Sequence, residues 1–247
     1  MVQGRLHRLP SRALGRPVWM WSYGYWGAPV LAMPTAAGMA HDWQHAGAVQ
    51  ALWPLIASGK IKLYCPETNV AECWTHADDH PANRLARHER YERFVIDELV
   101  PAIREDCRTP DARLAIAGAS VGGWYAVNFA LKHPETFWWA LSLSGRFAME
   151  KMLGGWWSDD LYFQLPLAYV PNLSGAELER VRRNTAVTLV VGQGPFEGAC
   201  LPETLRMAEV LRSRGIPVER DVWGKDVAHK WPWWNRQLQY HLGRRFG

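Results

Sequence analysis

Leu114-Ala-Ile-Ala-Gly-Ala-Ser-Val-Gly-Gly123 is the stretch from which the rest of the chain is read. Within it, Gly118-Ala-Ser120-Val-Gly122 fits the G-x-S-x-G pattern of a nucleophile elbow. An apolar run leads in, and Trp124-Tyr-Ala-Val-Asn-Phe-Ala-Leu131 leads out with helix-like composition. A serine on so sharp a strand-to-helix turn is lifted above the sheet edge. Glycines flank it because side chains there would strike the neighbouring strand and helix. The first N–H groups of the following helix then face the place where negative charge develops. A glycine-rich turn without chemistry has the same letters; the strand before it and the helix after it favour the chemical reading.

Working outward, short apolar runs alternate with amphipathic segments, the pattern of a mostly parallel sheet flanked by helices. Strands are expected at Val18–Tyr23, Pro29–Met33, Ile61–Cys65, Leu114–Ala117, Trp138–Leu143, Val187–Val191 and Val218–Val222. A long helix is expected from about Asn83 to Asp106, with Tyr91, Phe94, Val95, Leu99, Val100 and Ile103 on one stripe and Pro101 as a candidate kink. Further helices are expected after Ser120, from Ser174 as N-cap, and over about Pro202–Ser213, ending near Gly215. No repeat or linker divides the chain. One domain over 1–247 is expected, with an insertion at about 151–184.

A serine hydroxyl needs a base, and the base needs an orienting acid. On an elbow of this kind the order along the chain is serine, acid, histidine. Three histidines follow Ser120: His133, His229 and His241. His133 stands in a His-Pro pair near the end of the following helix, and His241 lies in the terminal amphipathic segment. His229 follows the last strand and is the expected base. Glu197 is the only carboxylate in the loop Gly192-Gln-Gly-Pro-Phe-Glu-Gly-Ala-Cys200 and is the expected acid; Asp226, three residues before His229, is its rival. The oxyanion donors are expected to be the N–H of Val121 and that of Ala36 or Ala37, in Pro34-Thr-Ala-Ala-Gly38.

At these residues the chain resembles the esterase family that includes esterase D (S-formylglutathione hydrolase), feruloyl esterase domains and the mycobacterial mycolyltransferases. The likeness runs through Pro29-Val-Leu-Ala-Met-Pro-Thr-Ala-Ala-Gly38, Tyr91-Glu-Arg-Phe-Val-Ile-Asp-Glu-Leu-Val-Pro101, the elbow, Leu143-Ser-Gly145, and Gly215 through His229. It implies an α/β-hydrolase fold, a Ser-acid-His triad that includes Ser120 and His229, and no metal or organic cofactor. Two departures stand out. Thr35-Ala36-Ala37-Gly38 replaces a His-Gly-Gly-type oxyanion loop, and many members carry an aspartate nearer Pro195 where this chain has Glu197.

Composition narrows the alternatives. The 247 residues are 48% apolar and 21% charged, enough for a large core. The net charge is +4, but basic spots such as Arg180, Arg182 and Arg183 sit among acids, so no nucleic-acid partner is expected. The N-terminus carries Arg5, His7, Arg8 and Pro10 without an apolar signal-like stretch, and no run is long enough for a membrane span; a cytoplasmic location is expected. Cys65, Cys73, Cys107 and Cys200 form no C-x-x-C pair and read as free thiols. His41-Asp-Trp-Gln-His45 and His76-Ala-Asp-Asp-His80 have histidine pairs at metal-like spacing. The first lacks the glutamate of H-E-x-x-H and the second lies in a Pro81-containing loop, so no metal is expected.

Tryptophan is abundant, with 15 residues. Trp156, Trp157, Tyr162 and Phe163 fall in the insertion between the strands Trp138–Leu143 and Val187–Val191, where they are expected to wall a substrate pocket. The expected activity is carboxylic ester hydrolysis on a small-molecule substrate through an acyl-enzyme. Acyl transfer by the same triad and a non-catalytic binding module are the alternatives, and a homo-oligomer is compatible with the sequence.

Overall fold

The computed structural model describes residues 3–36 and 38–247. These form an eight-stranded sheet of β1 (Arg5–Leu9), β2 (Val18–Tyr23), β3 (Ala28–Met33), β4 (Ile61–Pro66), β5 (Leu114–Ala119), β6 (Phe137–Leu143), β7 (Ala186–Val191) and β8 (Val218–Val222). The order is β1-β2-β4-β3-β5-β6-β7-β8. β1 and β2 pair antiparallel, as do β2 and β4; every later pairing is parallel. All seven expected strands are present, with small shifts at their ends. β1 was not expected. Its Arg-Leu-His-Arg-Leu offers little buried apolar surface, and it is held at the edge by its pairing with β2.

The helices are α1 (Asp42–His45), α2 (Ala48–Ala51), α3 (Trp53–Ala57), α4 (Pro81–Phe94), α5 (Val100–Asp106), α6 (Val121–Lys132), α7 (Asp159–Tyr162), α8 (Pro166–Tyr169), α9 (Gly175–Asn184), α10 (Cys200–Ser213) and α11 (Trp231–Phe246). Side chains alternate faces along a strand, so each central strand feeds two cores. In β3, Leu31 and Met33 join one core with α4, α5, α6 and α10, while Val30 and Ala32 join the other with α2, α3 and α11. Burial on both faces explains why these strands read as unbroken apolar runs.

The expected long helix is present, but Pro101 does not simply kink it. Proline has no N–H and its ring clashes with the carbonyl four residues back. The chain widens into a π-helical turn over Val95–Leu99 and resumes as α5, with Pro101 in its first turn. Ser174 occupies the N-cap position of α9 with extended backbone, although its side chain makes no capping hydrogen bond.

Candidate active site

Ser120 links β5 to α6 with φ 56° and ψ −120°, a region that L-residues rarely adopt. The surroundings fix that turn. The Ser120 N–H donates to the Leu143 carbonyl at 2.9 Å, and the Arg146 N–H donates to the Ser120 carbonyl at 3.2 Å. A Cβ on Gly122 would lie 2.5 Å from the Pro34 carbonyl oxygen, and one on Gly118 would strike the Gly122 backbone. The G-x-S-x-G glycines are therefore required by contact: α6 presses on β5 and on the end of β3. That contact brings the start of α6 beside the loop after β3.

Val121 opens α6, where first-turn N–H groups have no acceptor within the helix. Ala36 lies exposed in the turn after β3. The turn is closed by the Gly38 N–H on the Thr35 carbonyl at 3.0 Å. Asp42 anchors it by accepting from the Thr35 N–H and hydroxyl at 2.9 and 2.8 Å. Ala37, the other expected donor, lies outside the described residues.

The loops after β7 and β8 are zipped together by their backbones. The Gly194 N–H donates to the Val227 carbonyl at 2.9 Å, the Gln193 N–H to Gly224 at 3.2 Å, and the His229 N–H to Pro195 at 3.0 Å. A Cβ on Gly194 would sit 2.7 Å from the Val227 oxygen, so only glycine allows this approach. Phe196 then takes a left-handed φ of 67°, its ring exposed, and Glu197 turns inward to 1% exposure.

The result is an acid–histidine pair. Glu197 Oε2 lies 3.4 Å from His229 Nδ1, whose side chain is 19% exposed. Asp226, the rival acid, is exposed. His133 and His241 are engaged elsewhere, with Glu92 at 2.7 Å and Asp221 at 3.1 Å.

Three neighbours of this pair were not anticipated. The Ser144 hydroxyl donates to Glu197 Oε1 at 2.6 Å, and the Trp234 indole N–H donates to Ser144 Oγ at 3.1 Å. Trp234 also meets the His229 ring edge-on, with centroids 4.7 Å apart. Cys200 Sγ lies 3.7 Å from His229 Nδ1. Burial pushes its thiol up to about 12. Ser144 belongs to the Leu143-Ser-Gly145 signature, and its place at the end of β6, beside β7, was the signal available for it. For Trp234 and Cys200 the sequence offers no comparable pointer.

A cavity of about 680 Å³ is walled by Gly198 and Ala199, Phe147, Leu165, Trp157 and Arg206; Ser120, Glu197 and His229 are not among its lining residues. Of the four aromatics expected to wall a pocket, Trp157 does so, 53% exposed. Trp156 and Tyr162 pack against the larger core; Tyr162 accepts a hydrogen bond from Asn172 at 3.0 Å. Phe163 is exposed, with its ring 5.0 Å from that of Tyr162. The two histidine pairs at metal-like spacing make only local contacts. His41 and His45 bring their rings within 4.3 Å, while His80 Nδ1 accepts from the Ala82 N–H at the start of α4. The four cysteines are free. Among the described residues, no helix is long and apolar enough to cross a membrane.

The sheet order and the strained serine at the head of α6 define an α/β-hydrolase fold. The chain belongs to the family described as "Putative esterase", whose model matches residues 17–244. A curated relative is an endo-1,4-beta-xylanase/feruloyl esterase from Xylanibacter ruminicola, 28% identical over 130 residues. That match spans 46% of this chain and only 17% of that larger protein. Among solved structures, MPT51 (FbpC1) of Mycobacterium tuberculosis superposes with a TM-score of 0.76 at 18% identity, covering 99% of this chain and 98% of its own. The S-formylglutathione hydrolase FrmB of Staphylococcus aureus gives 0.75 at 12% identity, covering 99% and 96%. At such identities the likeness is one of fold.

Proposed function

We propose that this esterase works through a Ser120 acyl-enzyme, with His229 as general base and Glu197 as the acid that orients it. The observation that carries this reading is the strained backbone of Ser120 at the head of α6. Strain of this kind persists only where the surrounding structure imposes it, and here it lifts a hydroxyl to a helix N-terminus.

His229 directs Nδ1 at Glu197, which leaves Nε2 to take the serine proton. Ser120 Oγ attacks the ester carbonyl as that proton moves to Nε2, giving a tetrahedral oxyanion and an imidazolium. The carboxylate of Glu197 stabilises the imidazolium through Nδ1–H. The N–H of Val121 and one from the loop holding Ala36 and Ala37 stabilise the oxyanion. The C–O bond to the alcohol breaks as Nε2–H protonates the leaving oxygen. Water, deprotonated by the same nitrogen, then releases the acid and restores Ser120. The 3.4 Å Glu197–His229 spacing is loose for a hydrogen bond and tightens as the imidazolium forms.

The cavity walled in part by Gly198 and Ala199, which follow Glu197 in the chain, is assigned to the substrate, with Trp157, Phe147 and Leu165 as an apolar wall for an acyl or aryl group. A p-nitrophenyl ester series of increasing acyl length tests the activity and its substrate range. Hydrolysis is expected from the native chain. Ser120→Ala is expected to lower kcat at least about 10³-fold while the protein stays folded. Undiminished hydrolysis by a folded Ser120→Ala protein would refute the nucleophile assignment.

A further inference from the structure

The geometry points to a divalent-cation site that shares its ligands with the proposed catalytic pair: Glu197, Cys200 and His229 bind zinc, and the bound metal switches hydrolysis off. Among the described residues, this is the one group of three or more His, Cys, Asp or Glu side chains whose ligand atoms lie close enough together to hold an ion, all within 4.8 Å of one another.

Two of the three ligand spacings match a zinc tetrahedron, and the third lies within 4.8 Å. With Zn–N, Zn–O and Zn–S bonds of about 2.05, 2.1 and 2.3 Å, tetrahedral angles place N and O roughly 3.4 Å apart and N and S roughly 3.6 Å apart. His229 Nδ1 lies 3.4 Å from Glu197 Oε2 and 3.7 Å from Cys200 Sγ. The outer contacts suit ligation as well. The Ser144 hydroxyl holds Glu197 Oε1, which leaves Oε2 free to bind, and Trp234 in turn fixes Ser144. A carboxylate, a thiolate and an imidazole together favour zinc or cobalt over magnesium or calcium. Three protein ligands leave the fourth position to water.

The consequence for hydrolysis follows from the histidine tautomer. A metal on Nδ1 takes the lone pair of a neutral imidazole, so the ring proton must sit on Nε2. Nε2 then has no lone pair with which to accept the Ser120 proton. Binding releases one proton from the Cys200 thiol to solvent, moves the histidine proton from Nδ1 to Nε2, and involves no change of oxidation state. Removing the metal reverses each change. The inhibition rests on the reading of His229 as base; the binding does not.

Titration of the purified protein with cobalt(II) tests the binding. One equivalent is expected to give a thiolate-to-cobalt charge-transfer absorption together with the d–d bands of tetrahedral cobalt. Cys200→Ala is expected to lose the charge-transfer absorption. A His41→Ala/His45→Ala protein is expected to keep it, because only a thiolate ligand produces it. Zinc is then expected to abolish ester hydrolysis by the native protein, with recovery on adding a chelator. Loss of one ligand in Cys200→Ala should raise the zinc concentration for half-inhibition more than about 100-fold. Calorimetry with His229→Ala supplies a second check on binding, and the same loss of zinc affinity is expected. Absence of the cobalt–thiolate absorption, or its persistence in Cys200→Ala, would overturn the site while leaving the esterase reading intact. Cobalt binding through Cys200 without zinc inhibition would overturn the switch and count against His229 as the base.

Discussion

Ser120 combines a functional position with a backbone that disfavours its own side chain. At φ 56° and ψ −120° it costs on the order of 1–3 kcal/mol relative to a relaxed residue. Glycine relieves that strain. Ser120→Gly is therefore expected to be inactive yet more stable by about 1 kcal/mol in urea denaturation; a marked loss of stability would mean that the serine side chain holds the turn. Glu197→Gln is expected to lower kcat about 10³-fold or more, whereas Asp226→Asn stays near native activity, as read from steady-state ester hydrolysis. The reverse pattern would transfer the acid role to Asp226. Ser144→Ala is expected to lower kcat roughly 10-fold with little change in KM, because it frees one oxygen of a buried carboxylate that must be held still. The strained turn at Ser120 and the Glu197–His229 contact were legible because order along the chain and the type of each loop constrain those residues. Ser144 and Trp234 act through contacts 53 and 90 residues away in sequence; the Leu143-Ser-Gly145 signature marks Ser144, and nothing local announces Trp234.

Between elements, the least local feature is a polar box joining α4, α6 and the insertion. Glu92 on α4 holds Lys132 and His133 at the end of α6 at 2.6 and 2.7 Å, and receives the Gln164 amide at 3.1 Å. Burial would raise the Glu92 carboxyl, but His133 and Lys132 outweigh it and hold it at about 2. One turn earlier, burial among Trp74, Trp124, Tyr125 and Phe129 pushes His88 down to about 4. The sign is the same for both. The unfolded chain takes up protons at His88 near pH 6.5 and at Glu92 near 4.5, whereas the folded chain waits until about 4 and about 2. Stability is thus full above pH 6.5 and falls with acid, first through His88 and then through Glu92. His88 accounts for on the order of 3 kcal/mol between pH 6.5 and 4. His88→Phe is expected to flatten the melting temperature over that window, and an unchanged slope would contradict the assignment. The strands were readable because both faces of the central sheet are apolar. β1 and the π-helical turn were not, because one depends on its partner strand and the other on how a helix absorbs Pro101.

Across the whole molecule, every group assigned to the reaction comes from a loop at one end of the parallel strands: after β3, β5, β7 and β8. This is where such sheets gather ligands, and it is why residues as far apart in sequence as 36 and 229 are proposed for one site. The arrangement also explains the division between what the sequence declares and what it conceals. The strands follow from pattern and the elbow from its motif, but the cavity proposed for the acyl group is walled in part by the insertion, whose aromatics divide between cavity, core and surface. Trp157→Ala is expected to raise KM for bulky aryl esters about 10-fold with kcat nearly unchanged, measured across the same ester series. The central claim is that Ser120 is the nucleophile. Labelling the native protein with a fluorophosphonate and mapping the adduct by peptide mass spectrometry tests it most directly. One phosphonyl group on Ser120, absent in Ser120→Ala, is the predicted result; folded protein left unlabelled, or labelled at another residue, would contradict it.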